Sequence, residues 1–141
     1  MNDMADQTQL SRMLLEAFRA LDAEVSDALD ARGASGLSPR HAAALLLLDR
    51  SGSRLTDLAD HAGITKQAMM QVVDDLESMG YVKRNPDPAD ARAKIVKLTP
   101  RGQKERSDAG KAVSAVETKV HRRLGPGRYD SLRETLAALT T

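Results

Sequence analysis

The chain of 141 residues has no cysteine. That absence excludes disulfides, thiolate metal sites, cysteine nucleophiles and cysteine-based redox sensing together. It also lacks any apolar run near the roughly 18 residues needed to span a bilayer; the longest, Ala42 to Leu48, is at most a buried helix segment. Met1 to Gln9 carry two acids and no base, so they lack the charged start and apolar centre of a secretory signal, and a cytoplasmic protein without membrane attachment is expected. There is no internal repeat, low-complexity tract or linker. No glycine-rich phosphate loop or nucleophile elbow accompanies the serines and acids, so no enzyme is expected. His41, His61 and His121 stand on separate helical segments without zinc-ligand spacing. Asp57 and His61 sit one turn apart, which reads as a surface pair rather than a metal site. No cofactor or metal is expected.

What is present is the composition of one water-soluble domain, 41% hydrophobic and 29% charged, with a formal net charge of +1. The distribution of charge says more than the total. Residues 1–36 hold seven acids against three bases, whereas residues 81–106 hold eight bases against three acids. Phosphate binding requires a local excess of this kind, not a basic whole.

Apolar residues at Leu10, Leu14, Phe18, Leu21, Val25 and Leu29 recur at steps of three and four and predict one long helix ending near Gly33. Ser38-Pro39, a cap followed by proline at the first helical position, opens a second helix running to about Arg50. Its Ala- and Leu-rich centre marks it as the core helix. A short helix follows with Thr56 as its expected cap and Gly63 as its terminator. Thr65 then caps a further helix, with Ile64 set to pack on Met69 as a hydrophobic staple. Two short helices meeting at a glycine turn have helix-turn-helix spacing. After Gly80, the stretches 81–84 and 94–98 alternate like strands and predict a hairpin. Asn85 to Ala93 reads as a long loop stiffened by Pro86 and Pro88. Thr99-Pro100 repeats the cap-and-proline start for a helix with the stripe Ala109, Val113, Val116, Val120 and Leu124. Past the Gly125-Pro126-Gly127 turn, a last helix carries Tyr129, Leu132, Leu136 and Leu139.

The fold class is therefore mainly α with a small β-hairpin wing. One continuous domain is expected, with an N-terminal dimerisation helix in 1–36, a winged helix-turn-helix in 37–100 and C-terminal dimerisation helices in 101–141. The terminal stripes exceed what a small winged helix needs to close its own core, which points to a homodimer.

On a helical wheel of residues 66–79, Met69, Val72, Val73, Leu76 and Met79 share one face and Gln67, Met70, Gln71, Asp74 and Ser78 the other. The first group is core. In the second, Gln67 and Gln71 can each read adenine, the amide nitrogen donating to N7 and the oxygen accepting from the N6 amino group. Met70 can touch a thymine methyl. Arg92 suits a narrow minor groove, with Asp90 bracing its guanidinium. Lys66, Arg84, Lys94 and Lys97 are candidate phosphate contacts. The competing function is a winged helix serving as a protein-interaction module, which would need neither a symmetric DNA site nor Arg92.

The wing Asp87-Pro88-Ala89-Asp90-Ala91-Arg92, the strand after it and Leu98-Thr99-Pro100-Arg101-Gly102 resemble the signature of the MarR family, an Asp-x-Arg wing followed by Leu-Thr and a nearby glycine. Leu58-Ala59, Ile64-Thr65-Lys66-Gln67 and Leu76-Glu77-x-x-Gly80-Tyr81-Val82 agree in type and spacing, so the likeness spans about residues 37–106. The resemblance implies a symmetric dimer built by the terminal helices, with recognition helices in successive major grooves and wings in the flanking minor grooves. It also implies repression at a palindromic operator in double-stranded DNA, relieved by a small aromatic or phenolic ligand bound between the dimer region and the DNA-binding lobe.

Overall fold

The computed structural model describes residues 3–33 and 36–141. Six helices and three strands follow in the order α1 (Asp3–Ala31), α2 (Pro39–Leu47), β1 (Ser53–Arg54), α3 (Leu55–Ala62), α4 (Lys66–Ser78), β2 (Val82–Asp87), β3 (Asp90–Leu98), α5 (Pro100–Leu124) and α6 (Pro126–Leu139).

Three of the helix starts follow from their caps. Ser38 accepts from the backbone N–H of His41, Thr65 from that of Ala68 and Thr99 from that of Gly102, in each case satisfying an amide that has no partner inside its helix. The third helix departs from expectation: Arg54, not Thr56, holds the cap position, and no side chain caps it. Gly63 closes it at φ 68°, the left-handed conformation that lets α4 leave at once in a new direction. Ile64 packs against the core that contains Met69, as the staple requires.

Helix α2 stops at Leu47, three residues short of the expected Arg50. Arg106 of α5 accounts for the early end, because its guanidinium donates to the carbonyls of Leu48 (2.5 Å) and Leu46 (3.2 Å). These C-terminal carbonyls thus find a cationic donor from another helix. Leu45 and Leu48 are buried with Leu29 of α1, Leu58 of α3, Met69, Val73 and Leu76 of α4, Val82 and Val96 of the hairpin and Ala109 of α5. The core thus surrounds α2, which touches α1, α3, α4 and α5.

The wing is longer and tighter than the sequence suggests. Residues 85–93 do not form a loop: β2 pairs with β3 from Val82↔Leu98 outward to Asp87↔Asp90, leaving Pro88 and Ala89 as the turn. Pro86 is tolerated because the strand order β1-β3-β2 puts β2 at an edge, where a missing N–H breaks no second ladder. A register shift between Pro86 and Asp87 absorbs the remaining irregularity. The third strand, β1, is an addition, pairing Ser53↔Val96 and Arg54↔Ile95. With only two residues it has no periodicity to read.

At the junction of wing and α5, backbones approach closely. The Thr99 N–H donates to the Tyr81 carbonyl (3.0 Å) and its hydroxyl to the Gly80 carbonyl (2.6 Å). Gly102 is buried against Tyr81 so tightly that a Cβ there would lie 1.8 Å from the Tyr81 carbonyl oxygen. The Leu-Thr-x-x-Gly run is therefore a joint: threonine caps α5 and ties it to the end of α4, and glycine lets the two backbones meet.

Candidate nucleic-acid interface

Helix α4 buries Met69, Val72, Val73 and Leu76 and leaves Gln67, Met70, Gln71, Asp74 and Ser78 exposed, the division expected from the helical wheel. Lys66 occupies its first turn, where free amides and the helix dipole favour an anion.

Between α4 and the wing runs a groove of about 710 Å³, lined among others by Lys66 and Met70 of the helix, Arg84 of β2 and Arg92 and Lys94 of β3. Arg92, Lys94 and Val96 alternate on one face of β3; Val96 is buried in the core and the two cations continue the same face outward. Lys97 has the opposite parity and pairs across the strands with Lys83, so it does not join this groove. Arg54 does line it. Nothing in its local sequence marks that residue, which reaches the groove only because β1 pairs with β3.

The cations differ in how far they are already engaged. Arg84 makes ion pairs with Asp74 (2.5 Å) and Glu77 (3.0 Å), both on α4, and its backbone N–H donates to Glu77 (3.2 Å). Arg54 donates through Nε (3.0 Å) and Nη2 (2.6 Å) to Asp87, whose other oxygen accepts from the Ala89 backbone N–H (2.9 Å). The Ala89 N–H first, and the Arg54 guanidinium after it, hold the Asp87 carboxyl below the usual carboxylate range; Asp87 in turn raises the Arg54 pKa. Among the described residues Lys66, Arg92 and Lys94 have no carboxylate partner, so their charge is available to a ligand.

Asp90 supports the wing by a different bond from the one expected. Its Oδ1 accepts from the backbone N–H of Arg92 (3.0 Å), and no carboxylate–guanidinium pair joins the two side chains. The acid shapes the turn, while the Arg92 guanidinium stays exposed and uncommitted among the described residues.

Sequence reasoning also missed a polar line behind α4. The His41 imidazole on α2 bonds Asp75 through Nε2 (2.9 Å), and the other Asp75 oxygen accepts from the Gln71 amide (3.0 Å). These bonds, the one from His41 foremost, hold the Asp75 carboxyl below its ordinary value. A serine cap with histidine three residues on was the available signal, yet the partner lies 34 positions away.

No group of three or more potential metal-ligating His, Asp or Glu side chains occurs among the described residues, nor is any described helix long and apolar enough to cross a membrane.

Comparison with known proteins bears on this arrangement. The MarR family profile matches residues 35–93, from the α2 region into the first part of β3. The HTH-type transcriptional repressor Rv2887 of Mycobacterium tuberculosis is 32% identical over 136 residues, covering 96% of both chains. The chain belongs to the MarR family. It is thus a winged helix-turn-helix transcription regulator and not an enzyme. Its MarR fold superposes on the transcriptional repressor CouR bound to a 23-mer DNA duplex with a TM-score of 0.84 at 26% identity, covering 98% of this chain and 97% of that one. CouR from Rhodococcus jostii RHA1 is also known bound to p-coumaroyl-CoA (TM-score 0.79, 26% identity, 92% and 90% coverage). Rv2887 in complex with p-aminosalicylic acid gives a TM-score of 0.71 at 30% identity, covering 94% and 98%. As in these MarR proteins, the N- and C-terminal helices pack together, here α1 on α5 and α5 on α6.

Proposed function

We propose that the protein is a homodimeric repressor that reads a palindromic operator in double-stranded DNA, with α4 in the major groove and the wing in the adjacent minor groove. The observation that carries this reading is the groove between α4 and β3, where Lys66, Arg92 and Lys94 stand without carboxylate partners among the described residues beside the exposed amides of Gln67 and Gln71. Base-reading groups flanked by unpaired cations are what sequence-specific binding needs, because phosphates hold the register and base edges supply the information. The relative CouR has been seen on a DNA duplex, which agrees with this use of the surface.

Dimerisation rests on the terminal helices. Leu10, Met13, Leu14, Phe18 and Leu21 of α1 and Leu132, Leu136 and Leu139 of α6 are exposed in the single chain, Phe18 to 60%. An apolar surface of this extent is a contact surface, and a second copy presents the same one.

A small aromatic ligand is the inducer we infer, since Rv2887 binds p-aminosalicylic acid and the molecule bound by CouR, p-coumaroyl-CoA, carries a phenolic acyl group. The recess of about 560 Å³ lined by Leu46, Arg50, Leu98 and Ser107 is the space offered for it, between the core helix α2 and the dimer helix α5. A ligand there would act on the joint between the DNA-binding and dimer regions.

The test is selection of duplexes from a random-sequence pool by the full-length protein, followed by footprinting and a salt titration on the enriched sequence. A palindrome with half-sites about one helical turn apart and a steep loss of affinity with salt is expected. Failure to enrich any sequence, with the protein folded, would favour the protein-interaction module.

A further inference from the structure

The recognition helix carries two exposed glutamines one turn apart, and the structure treats them differently. Gln67 makes no side-chain hydrogen bond among the described residues, whereas the Gln71 amide nitrogen is held by Asp75 Oδ1 at 3.0 Å. A carboxylate only accepts, so the edge of the amide that faces it is the nitrogen. The oxygen, Oε1, is turned away.

The orientation of Asp75 is itself dictated from the core side of the helix. His41 Nδ1 lies 3.0 Å from the backbone N–H of Ser38, part of the capping box that opens α2. The Ser38 hydroxyl oxygen is also 3.0 Å from Nδ1 and can donate or accept there, but the backbone N–H can only donate, so Nδ1 is the acceptor of both and the imidazole proton resides on Nε2. That proton is donated to Asp75 Oδ2 at 2.9 Å, leaving Oδ1 for Gln71. The His41 side chain is only 12% exposed, so this end of the line is fixed by packing. With the proton on Nε2, donor and acceptor roles alternate from a helix cap, through the ring and the carboxylate, to an amide on the exposed face.

We propose that this relay makes Gln71 a specificity-determining residue of fixed polarity: it presents Oε1 to the major groove and selects a base with an exocyclic amino group there, adenine or cytosine. His41 and Asp75 are positioning residues that do not touch the base. In the major groove only the adenine N6 and cytosine N4 groups donate, while guanine O6 and N7, thymine O4 and adenine N7 accept, so an outward oxygen excludes guanine and thymine, whereas an outward N–H admits them and excludes cytosine. An unbraced glutamine such as Gln67 can turn either way and adapt to its neighbours. The inference rests on the proposed insertion of α4 into the major groove.

The relay makes a reversal the decisive result. In Asp75→Asn the oxygen of the new amide must still meet the Nε2 proton of His41, so its NH₂ faces Gln71 and draws Oε1 inward. Gln71 would then offer N–H outward, admitting guanine and thymine and rejecting cytosine. The experiment is duplex selection from a random pool by full-length wild type, Gln71→Ala, Asp75→Asn and Gln71→Glu, with melting curves on each. Gln71→Ala should flatten one position per half-site at which wild type enriches adenine or cytosine. Asp75→Asn should raise guanine and thymine against cytosine there by about fivefold or more, the range of a single good base contact, without altering the bases read elsewhere. Gln71→Glu, an exposed change that leaves only acceptors, should retain an amino-bearing base. A folded Asp75→Asn protein that still excludes guanine and thymine at that position would overturn the proposal. So would loss of the preference in Gln71→Glu, or a Gln71→Ala protein with an unchanged selection. A wild-type protein that enriches nothing is a different failure, that of the DNA-reading assignment, and it is visible before any variant is compared.

Discussion

Replacing Gly102 by alanine is the smallest change with a large expected effect. A Cβ built at this position lies 1.8 Å from the Tyr81 carbonyl oxygen, 2.8 Å from its carbonyl carbon and 3.2 Å from its Cα. All three neighbours are backbone, so no side chain can rotate away, and the start of α5 must withdraw by roughly 1 Å to reach a tolerable separation. Withdrawal stretches the two bonds by which Thr99 holds Gly80 and Tyr81. Overpacking of a rigid site costs about 1–3 kcal/mol, and the loss of these bonds puts Gly102→Ala near the upper end, about 3 kcal/mol. For a chain of this length that is a fall in Tm of roughly 10 °C. The assay is thermal unfolding followed by circular dichroism at one fixed protein concentration, since dimer formation makes Tm concentration-dependent. Gly127→Ala is the matched control: nothing lies within 4 Å of its added Cβ, and the change should leave Tm the same or slightly higher. A Gly102→Ala protein that melts within about 2 °C of wild type would refute the reasoning, because it would mean that the joint between wing and α5 yields freely.

Other outcomes are expected on the DNA-binding side and in acid. Arg92→Ala should make the slope of log affinity against log salt shallower by about two units for a dimer with two wings, with an unchanged melting curve; an intact slope would place the wing off the DNA. Gln67→Ala should weaken the selected duplex by about 1–3 kcal/mol and spare random duplex, whereas equal losses on both would assign Gln67 to the backbone. Because the Asp87 pKa is lowered in the folded protein, its contribution to stability is complete above the unfolded value near 3.9 and is lost as pH falls through the folded value. Asp87→Asn should therefore lose less stability than wild type between about pH 5 and pH 2 in denaturant titrations; parallel losses would show that the Asp87 carboxylate, held by the Ala89 N–H and Arg54, is not linked to folding.

The elements legible in the sequence are those whose signals are local. Ser38, Thr65 and Thr99 each announce a helix by a hydroxyl that the backbone needs, and the stripe from Met69 to Leu76 divides α4 into its two faces without any knowledge of its neighbours. The misreadings arise where distant residues intervene. Two prolines between 85 and 93 read as a loop, but a strand at a sheet edge can hold one of them within its ladder. Helix α2 shows no breaker before Gly52 and ends early because Arg106, 58 positions from Leu48, takes its carbonyl. The groove was legible in part: Lys66, Met70, Arg84, Arg92 and Lys94 do line it together, while Lys97 falls on the other face of β3 and Arg54 joins from an unforeseen strand. That Arg84 is engaged by Asp74 and Glu77 is invisible in one dimension, since it depends on how the root of the wing lies against α4.

The same pairing limits how this protein can be re-engineered. Asp74 and Glu77 are neutralised from β2, and Asp75 is bonded from α2, so three acids within about one turn of α4 find their counterparts on other elements. A graft of α4 alone onto another DNA-binding scaffold would bring three negative charges near phosphate without the arginine and histidine that engage them here. The transferable unit is the helix together with Arg84 and His41, and a redesign of target sequence that alters positions 74 to 77 has to revise the wing root and the core helix with them.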